Sequence, residues 1–395
     1  MTMNEQDRST TLIHHPYQAP AGFEAPQPPV YKASTVYFPS AAAMRARNWK
    51  SRAGYTYGLH GTPTTFLLEE RIATLEGGLQ TLLVPSGLAA ITLVDMALLK
   101  SGDEVLIPDN VYGPSKALAA GELAGWGITH RLYDPMDPGS LAQALSPATK
   151  LVWLEVPGSI TMEFPDLRAL LALARARGIL TALDNTWGAG VAFNGFDLGD
   201  GLGADIVIQA LTKFPSGGGD VLMGSVTTRD EALHLQLKYS HMRMGWGVGA
   251  NDVELVLRSL PTIHVRYEAQ DRAARALAQW WAGRQEVMQV LHPALPGSPG
   301  HAHWQATCNA AAGLFSVVFD ERFAAPQVDA FVDALRLFRI GSSWAGPVSL
   351  VVPYDLAPMR AWPAWRGTVV RFSIGFEAVG DLIADCTQAL AALGA

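Results

Sequence analysis

The chain reads as an α/β protein, a mostly parallel sheet with helices on both faces plus a smaller C-terminal α+β domain. Three observations predict this. Between Pro63 and Thr228, apolar runs rich in β-branched residues alternate with helical patterns, the signature of strands buried on both faces. After about residue 250 the texture changes to a long helical region and then to mixed strands and helices. Residues 1–55, rich in Pro, Ala and polar groups, show weak periodicity and read as an extended arm that needs something to lie against, such as a partner subunit. The expected division is an arm over 1–55, a sheet domain over 56–250 and a C-terminal domain over 251–395.

The elements follow in order. "PTTFLLEERIATLEGG" opens on Pro63, lines up Leu68, Ile72 and Leu75 on one face and stops at Gly77 and Gly78, so it carries both terminal signals of a helix. "TLLVPSGLAAITLVDMALLKSGD" reads as strand, turn and helix, "DEVLIPD" as a strand and "GPSKALAAGELAGWG" as a helix. "KLVWLEVPG" is a strand, "PDLRALLALARARG" a helix and "ILTALDNTW" a strand, and the strands "ADIVIQALTK" and "LMGSVTT" close the series. In the C-terminal part, "DVELVLRSLPTIHVRYEAQDRAARALAQWWAG" is one helical region broken at Pro261. The strand "GLFSVVFD", the helix "VDAFVDALRLF", the strand "VVRFSIGFE" and the amphipathic helix "VGDLIADCTQALAALGA" complete it.

Composition narrows the function. Of 395 residues 49% are apolar and 16% charged, so a buried core is well supplied. A net charge of −7 argues against nucleic acid as the main partner, because neutralising phosphates needs clustered Lys and Arg. The two cysteines, Cys308 and Cys386, form no CxxC pair, and no His/Cys cluster has zinc-site spacing, so no metal is expected and a reducing, cytoplasmic setting is. The N-terminus lacks the apolar stretch of a signal peptide. The most apolar long stretch, Leu82 to Leu99, is interrupted by Pro85, Ser86, Gly87 and Asp95, which argues against a membrane span.

Sheets of this kind place ligands at the carboxyl ends of their strands, and the residues there are informative. Ser86, Gly87 and Leu88 lie between a strand and a helix start, where free N–H groups can bind an anion, or they form an ordinary turn. Tyr112 follows a strand and could stack on a flat ring or simply pack. Asp184 ends an apolar strand; it could cap the next turn, ligate a metal or pair with a protonated ring nitrogen. Lys213 ends the next strand, ahead of Ser216, Gly217, Gly218 and Gly219, and is either a solvated charge or a desolvated nucleophile. Arg371 sits inside an otherwise apolar strand and suits either a substrate carboxylate or a structural ion pair. A buried Asp and a strand-end Lys in an α/β fold are the pair that pyridoxal phosphate uses. By contrast, Gly199–Ala204 fits G-x-G-x-x-A but precedes a strand, the wrong context for a dinucleotide. His14 and His15 in the arm and the "QWWAG" tryptophans read as incidental and as packing.

The motifs "YGLHGTPTTFLLEERIATLEGG", "VPSGLAA", "NVYGPS", "EVPGSITMEFPDL", "DNTWGAGV", "IQALTKF", "HPALPGSPGHAHW", "SSWAG" and "VRFSIGFE", in this order, resemble the Cys/Met-metabolism pyridoxal-phosphate enzymes of fold type I, and among them the cystathionine β-lyases. The resemblance covers nearly the whole chain from about residue 30. It implies pyridoxal 5'-phosphate as cofactor, Lys213 as its Schiff-base lysine and Asp184 as the partner of the pyridine nitrogen. Tyr112 would stack on the ring, with Ser86, Gly87, Leu88 and Thr212 on the phosphate and Ser159 of "PGSITME" also at the cofactor. Arg371 would clamp the substrate α-carboxylate with help from Ser343, beside Trp344, a tryptophan typical of β-lyases. Tyr57 would reach the neighbouring subunit's site, which implies a homodimeric catalytic unit, usually paired into a tetramer. The implied reaction cleaves L-cystathionine to L-homocysteine, pyruvate and ammonia, in methionine biosynthesis. The rivals are a broader cysteine-conjugate β-lyase, a γ-lyase or γ-synthase, and a catalytically idle binding protein. Three departures from the pattern stand out: Leu59 where relatives have a phosphate-clamping arginine, with His60 or Arg52 as substitutes; Ala210 in place of a serine; and Ala345, Pro347 and Val348 in the substrate loop.

Overall fold

The computed structural model describes residues 7–17, 19–23, 25–50, 54–362 and 365–394. Among these, two sheets form. The first contains β1 (Gln80–Val84), β2 (Glu104–Pro108), β3 (Thr129–Tyr133), β4 (Thr149–Glu155), β5 (Leu180–Asp184), β6 (Ile206–Ala210) and β7 (Gly224–Thr228). Its order is β1-β7-β6-β5-β4-β2-β3. β7 runs antiparallel to both β1 and β6, and the remaining pairs are parallel. The carboxyl ends of β1, β2, β4, β5 and β6 therefore meet along one edge, as expected of this fold class. β2 and β7, each next to an edge strand, are buried throughout, while the edge strand β3 alternates toward solvent.

The helix Pro63–Glu76 forms for the reasons its sequence gives. Thr62 and Thr65 cap its first turn reciprocally, Gly77 ends it at φ +77°, and Leu68, Ile72 and Leu75 are fully buried. "GPSKALAAGELAGWG" is helical over Gly113–Leu118 and then widens into a π-helical turn, Ala119–Leu123. The strand expected over "LMGSVTT" starts later, at Gly224, and Leu222 is exposed. The break at Pro261 falls within one tight turn, Leu260–Thr262, between the helices Ala250–Ser259 and Ile263–Ala282.

The second sheet contains β8 (Val287–Leu291), β9 (Leu314–Phe319), β10 (Arg339–Ile340), β11 (Leu350–Tyr354) and β12 (Val369–Ser373), in the order β10-β11-β12-β9-β8. The helix Ile263–Ala282 belongs to two cores. Ile263 and Tyr267 pack with the large core of the first sheet, and Ala274, Leu277 and Trp281 pack with the second sheet. The N-terminal arm is less independent than its composition suggests. Residues Arg8–Ile13 form a short helix, and Leu12, fully buried, joins the large core of its own chain. From Val30 to Tyr57 the arm keeps exposed aromatics, Tyr37 above all at 93% exposure.

Candidate active site

The shared edge of the first sheet gathers most of the residues singled out in the sequence. β6 ends at Ala210, and the chain turns at once, with the Lys213 N–H donating to Ala210 O and the Gly217 N–H to Lys213 O. Gly217 takes φ +66°, and a Cβ there would lie 2.1 Å from the Arg266 guanidinium, so this turn favours glycine. Arg266 holds the turn from below, donating to Phe214 O at 2.7 Å and Ser259 O at 3.1 Å. Nothing in the sequence pattern pointed to Arg266, which looks like one more charge along an amphipathic helix.

Lys213 is therefore no solvated surface charge. Its Nζ donates to Ser343 Oγ at 2.7 Å and lies 5.5 Å from the Trp344 ring centroid. Burial first, and then the charge of Arg371, bring its amine down to about 8, with Asp184 acting in the opposite sense. Phe214 packs edge-on against Trp344. Ala345, next in the loop, is buried with φ +65°, a left-handed conformation that suits glycine better than alanine. Gln270, also unremarked in the sequence, donates to Gly346 O at 2.9 Å and fixes this loop.

Asp184 ends β5 beside Ile208 of β6. Burial raises its carboxyl, and two hydrogen bonds from Thr186, one from the N–H and one from the hydroxyl, oppose that, as does Lys213. The same Thr186 hydroxyl accepts from the Ala210 N–H at 2.9 Å, so it ties the ends of β5 and β6 together. Thr186→Val is expected to raise the Asp184 carboxyl further. Affinity for pyridoxal phosphate should fall about tenfold or more, with the deficit growing as pH is lowered because the carboxyl protonates sooner. Equilibrium cofactor titrations across pH check this.

Ser86 caps the helix Gly87–Leu98 by accepting from the Ala89 N–H, which leaves the Gly87 and Leu88 N–H groups at the first two helical positions. A Cβ on Gly87 would sit 2.7 Å from Ala210 Cβ. The position where a serine was expected is thus an alanine packed directly against the turn. Gly87→Ala should cost about 1–3 kcal/mol of stability by overpacking and weaken cofactor binding, measurable by urea unfolding and by cofactor titration. Thr212 is differently engaged: its hydroxyl donates to Met223 O at 3.2 Å and accepts from the Met223 N–H at 3.1 Å.

Tyr112 precedes the helix Gly113–Leu118 and is 44% exposed. Its N–H donates to Glu155 Oε2 at 2.8 Å, and burial, then Asp184 and Glu155, push its phenol up. Ser159 follows the cis Val156–Pro157 bond; its N–H donates to Asn110 O at 2.7 Å, and its carbonyl accepts from Arg360. Arg371, on β12, is 9% exposed. Its backbone pairs with Val352 and Ser316, but among the described residues its guanidinium has no hydrogen-bonded or ion-paired partner, only the Tyr354 ring 5.4 Å away. Tyr57 stands apart. It borders an open cavity of about 540 Å³ lined by Thr35, Met44, Arg47 and His60, not by the Lys213 cluster. His60 is tied to Thr56 Oγ1 at 2.8 Å and held down by burial, Lys238 and Arg47, while Arg52 lies outside the described residues.

A lysine brought down to about 8, a carboxyl one strand away, a tyrosine beside them and an open helix N-terminus fit pyridoxal phosphate. Lys213 would take its aldehyde, Asp184 its ring nitrogen and the Gly87–Leu88 amides its phosphate. Fold and site thus define a pyridoxal-phosphate enzyme of fold type I. The model of the family "Cys/Met metabolism PLP-dependent enzyme" matches residues 9–391, and the chain belongs to that family. It is 37% identical to a cystathionine beta-lyase of Bordetella avium over 96% of each chain. It is 35% identical to the cystathionine beta-lyase MetC of Escherichia coli K12, over 90% of this chain and 91% of that one. The crystal structure of a cystathionine gamma synthase from Xanthomonas oryzae pv. oryzae superimposes with a TM-score of 0.89 at 30% identity, covering 98% of this chain and 99% of the other. Among the described residues no group of His, Cys, Asp and Glu could hold a metal ion, and no helix is long and apolar enough to cross a membrane.

Proposed function

We propose that the chain is a carbon–sulfur β-lyase that cleaves L-cystathionine to L-homocysteine, pyruvate and ammonia, in methionine biosynthesis. The observation that carries this reading is Arg371, buried without an acidic partner among the described residues and electrically coupled to Lys213. A desolvated guanidinium left open is costly unless a carboxylate completes it, and the α-carboxylate of an amino acid does so. Clamped there, the α-carbon is presented to Lys213. Lys213, brought down to about 8, accepts the α-proton in its uncharged form, whereas the raised phenol of Tyr112 stays protonated and acts as stacking partner and hydrogen-bond donor. Pyridoxal phosphate, when bound, supplies the electron sink for the pair left at the α-carbon. Asp184 keeps the ring nitrogen's proton in place. Lys213 then carries its acquired proton to the departing sulfur, and Trp344 shields that side from water.

Ser86, Gly87, Leu88 and Ser159 complete the cofactor's surroundings in this reading, with Ser343 beside the α-carboxylate. Thr212 contributes only if its hydroxyl leaves Met223. The active unit is a homodimer in which Tyr57 serves the partner's site, paired further into a tetramer. Tyr57's exposure and its separation from the Lys213 cluster support that arrangement. The two unpaired cysteines suit a cytoplasmic setting. Supplied with L-cystathionine and pyridoxal phosphate, the protein is expected to release pyruvate and homocysteine. Release of 2-oxobutyrate and cysteine would instead establish γ-cleavage.

A further inference from the structure

Glu155 ends β4 and has no part in the steps above. β4 and β5 are parallel neighbours, and Glu155 is the register partner of Asp184. Register partners on adjacent strands lie about 4.8 Å apart and project to the same face. The two preceding pairs follow this rule: Leu154 and Leu183 share one core, and Trp153 and Ala182 share the other. Two carboxyl groups thus emerge side by side at the edge that receives the cofactor. Two such groups do not both ionise readily, and one retains a proton.

The hydrogen-bond donors around the pair decide which. Asp184 receives two from Thr186, and the Lys213 charge favours its ionised form. Glu155 receives one among the described residues, from the Tyr112 N–H. Arg360, the cation whose charge acts on Glu155, is already occupied by Thr161, by Ser159 O and by its ion pair with Glu163. We infer that Glu155 is a positioning residue that carries the pair's proton: a neutral acid that anchors the Tyr112 backbone while leaving Asp184 as the sole negative charge for the pyridine nitrogen. Burial, followed by the neighbouring Asp184, pushes the Glu155 carboxyl well above the ordinary carboxylate range, in keeping with this. The Arg360 charge opposes that shift and Glu163 adds to it.

The test compares holoenzymes. Glu155→Gln keeps an acceptor for Tyr112 and the neutral charge, so its cofactor Kd at neutral pH should stay within about threefold of wild type. Glu155→Ala, which strands the Tyr112 N–H, should lose about tenfold or more. Taking the pH from neutral to alkaline should give cofactor-binding curves that diverge between wild type and E155Q, because only wild type gains a second negative charge beside Asp184. A loss of about a hundredfold in E155Q at neutral pH would overturn the inference, as would pH curves that coincide. Infrared spectra of wild type with ¹³C-labelled glutamate cover the case in which E155Q does not fold. A protonated-carboxyl stretch that shifts with the label is expected, and its absence at neutral pH overturns the assignment. None of these readouts depends on which substrate the enzyme cleaves.

Discussion

Lys213→Ala should give a folded, colourless protein that takes up no yellow pyridoxal chromophore and whose turnover is lower by about four orders of magnitude or more, the scale seen when a covalent nucleophile is lost. The fold should not suffer, and it should gain. In the native chain the amine has been brought from 10.5 to about 8. The unfolded state therefore holds this proton more tightly than the folded state does. Sign follows from linkage: the group's destabilising contribution is fully present below about pH 8 and is relieved as pH rises from there toward 10.5. At neutral pH Lys213→Ala should melt higher than the wild-type apoprotein, and that advantage should shrink in alkali. Calorimetry at two pH values separates this from a merely damaged variant, which would melt lower at both.

Arg371→Leu should divide affinity from stability in the same way. Losing a buried, charge-assisted carboxylate contact costs about 3–4 kcal/mol, or roughly 10²–10³ in kcat/KM. The loss should appear mainly as a higher KM for every amino acid that carries a free α-carboxylate. The apoprotein should meanwhile gain stability, because β12 exchanges a buried, unpartnered guanidinium for an apolar side chain. A second signature follows from Lys213. With the guanidinium gone its amine should move up, carrying the pH dependence of activity to higher pH. A variant that loses kcat alone, with KM and the pH profile unchanged, would remove Arg371 from the carboxylate site.

The elements that were legible in the sequence are those whose pattern has one physical cause. The helix Pro63–Glu76 carries its own caps, and β4, β5 and β6 are apolar because they are buried on both faces. Lys213, Asp184 and Arg371 stood out because a charge inside an apolar run needs a reason. β3 was hidden: "THRLY" at a sheet edge faces water and looks like loop. β11 takes its form from pairing with β12, and β10 from pairing with β11, which no local pattern announces. Thr186, Arg266 and Gln270 were missed for a related reason. Each acts by bonding a backbone atom distant in sequence or a neighbour's carboxyl, and a threonine or a helical arginine carries no mark of that in its surroundings. Glu155 was quoted within a motif yet passed over, because its meaning comes from the residue beside it on another strand.

The helix Ile263–Ala282 sets a limit on how the gene could be divided. Because Tyr267 at one end and Trp281 at the other are fully buried in different cores, no cut near residue 250 yields a self-sufficient half. A fragment ending there would lose Ile263, Tyr267, Leu291 and Val318 from the core that supports Lys213. It would present a wide apolar face to water and aggregate rather than bind pyridoxal phosphate. Split-protein reporters and halves borrowed from relatives should therefore be joined in surface turns, with this helix kept whole.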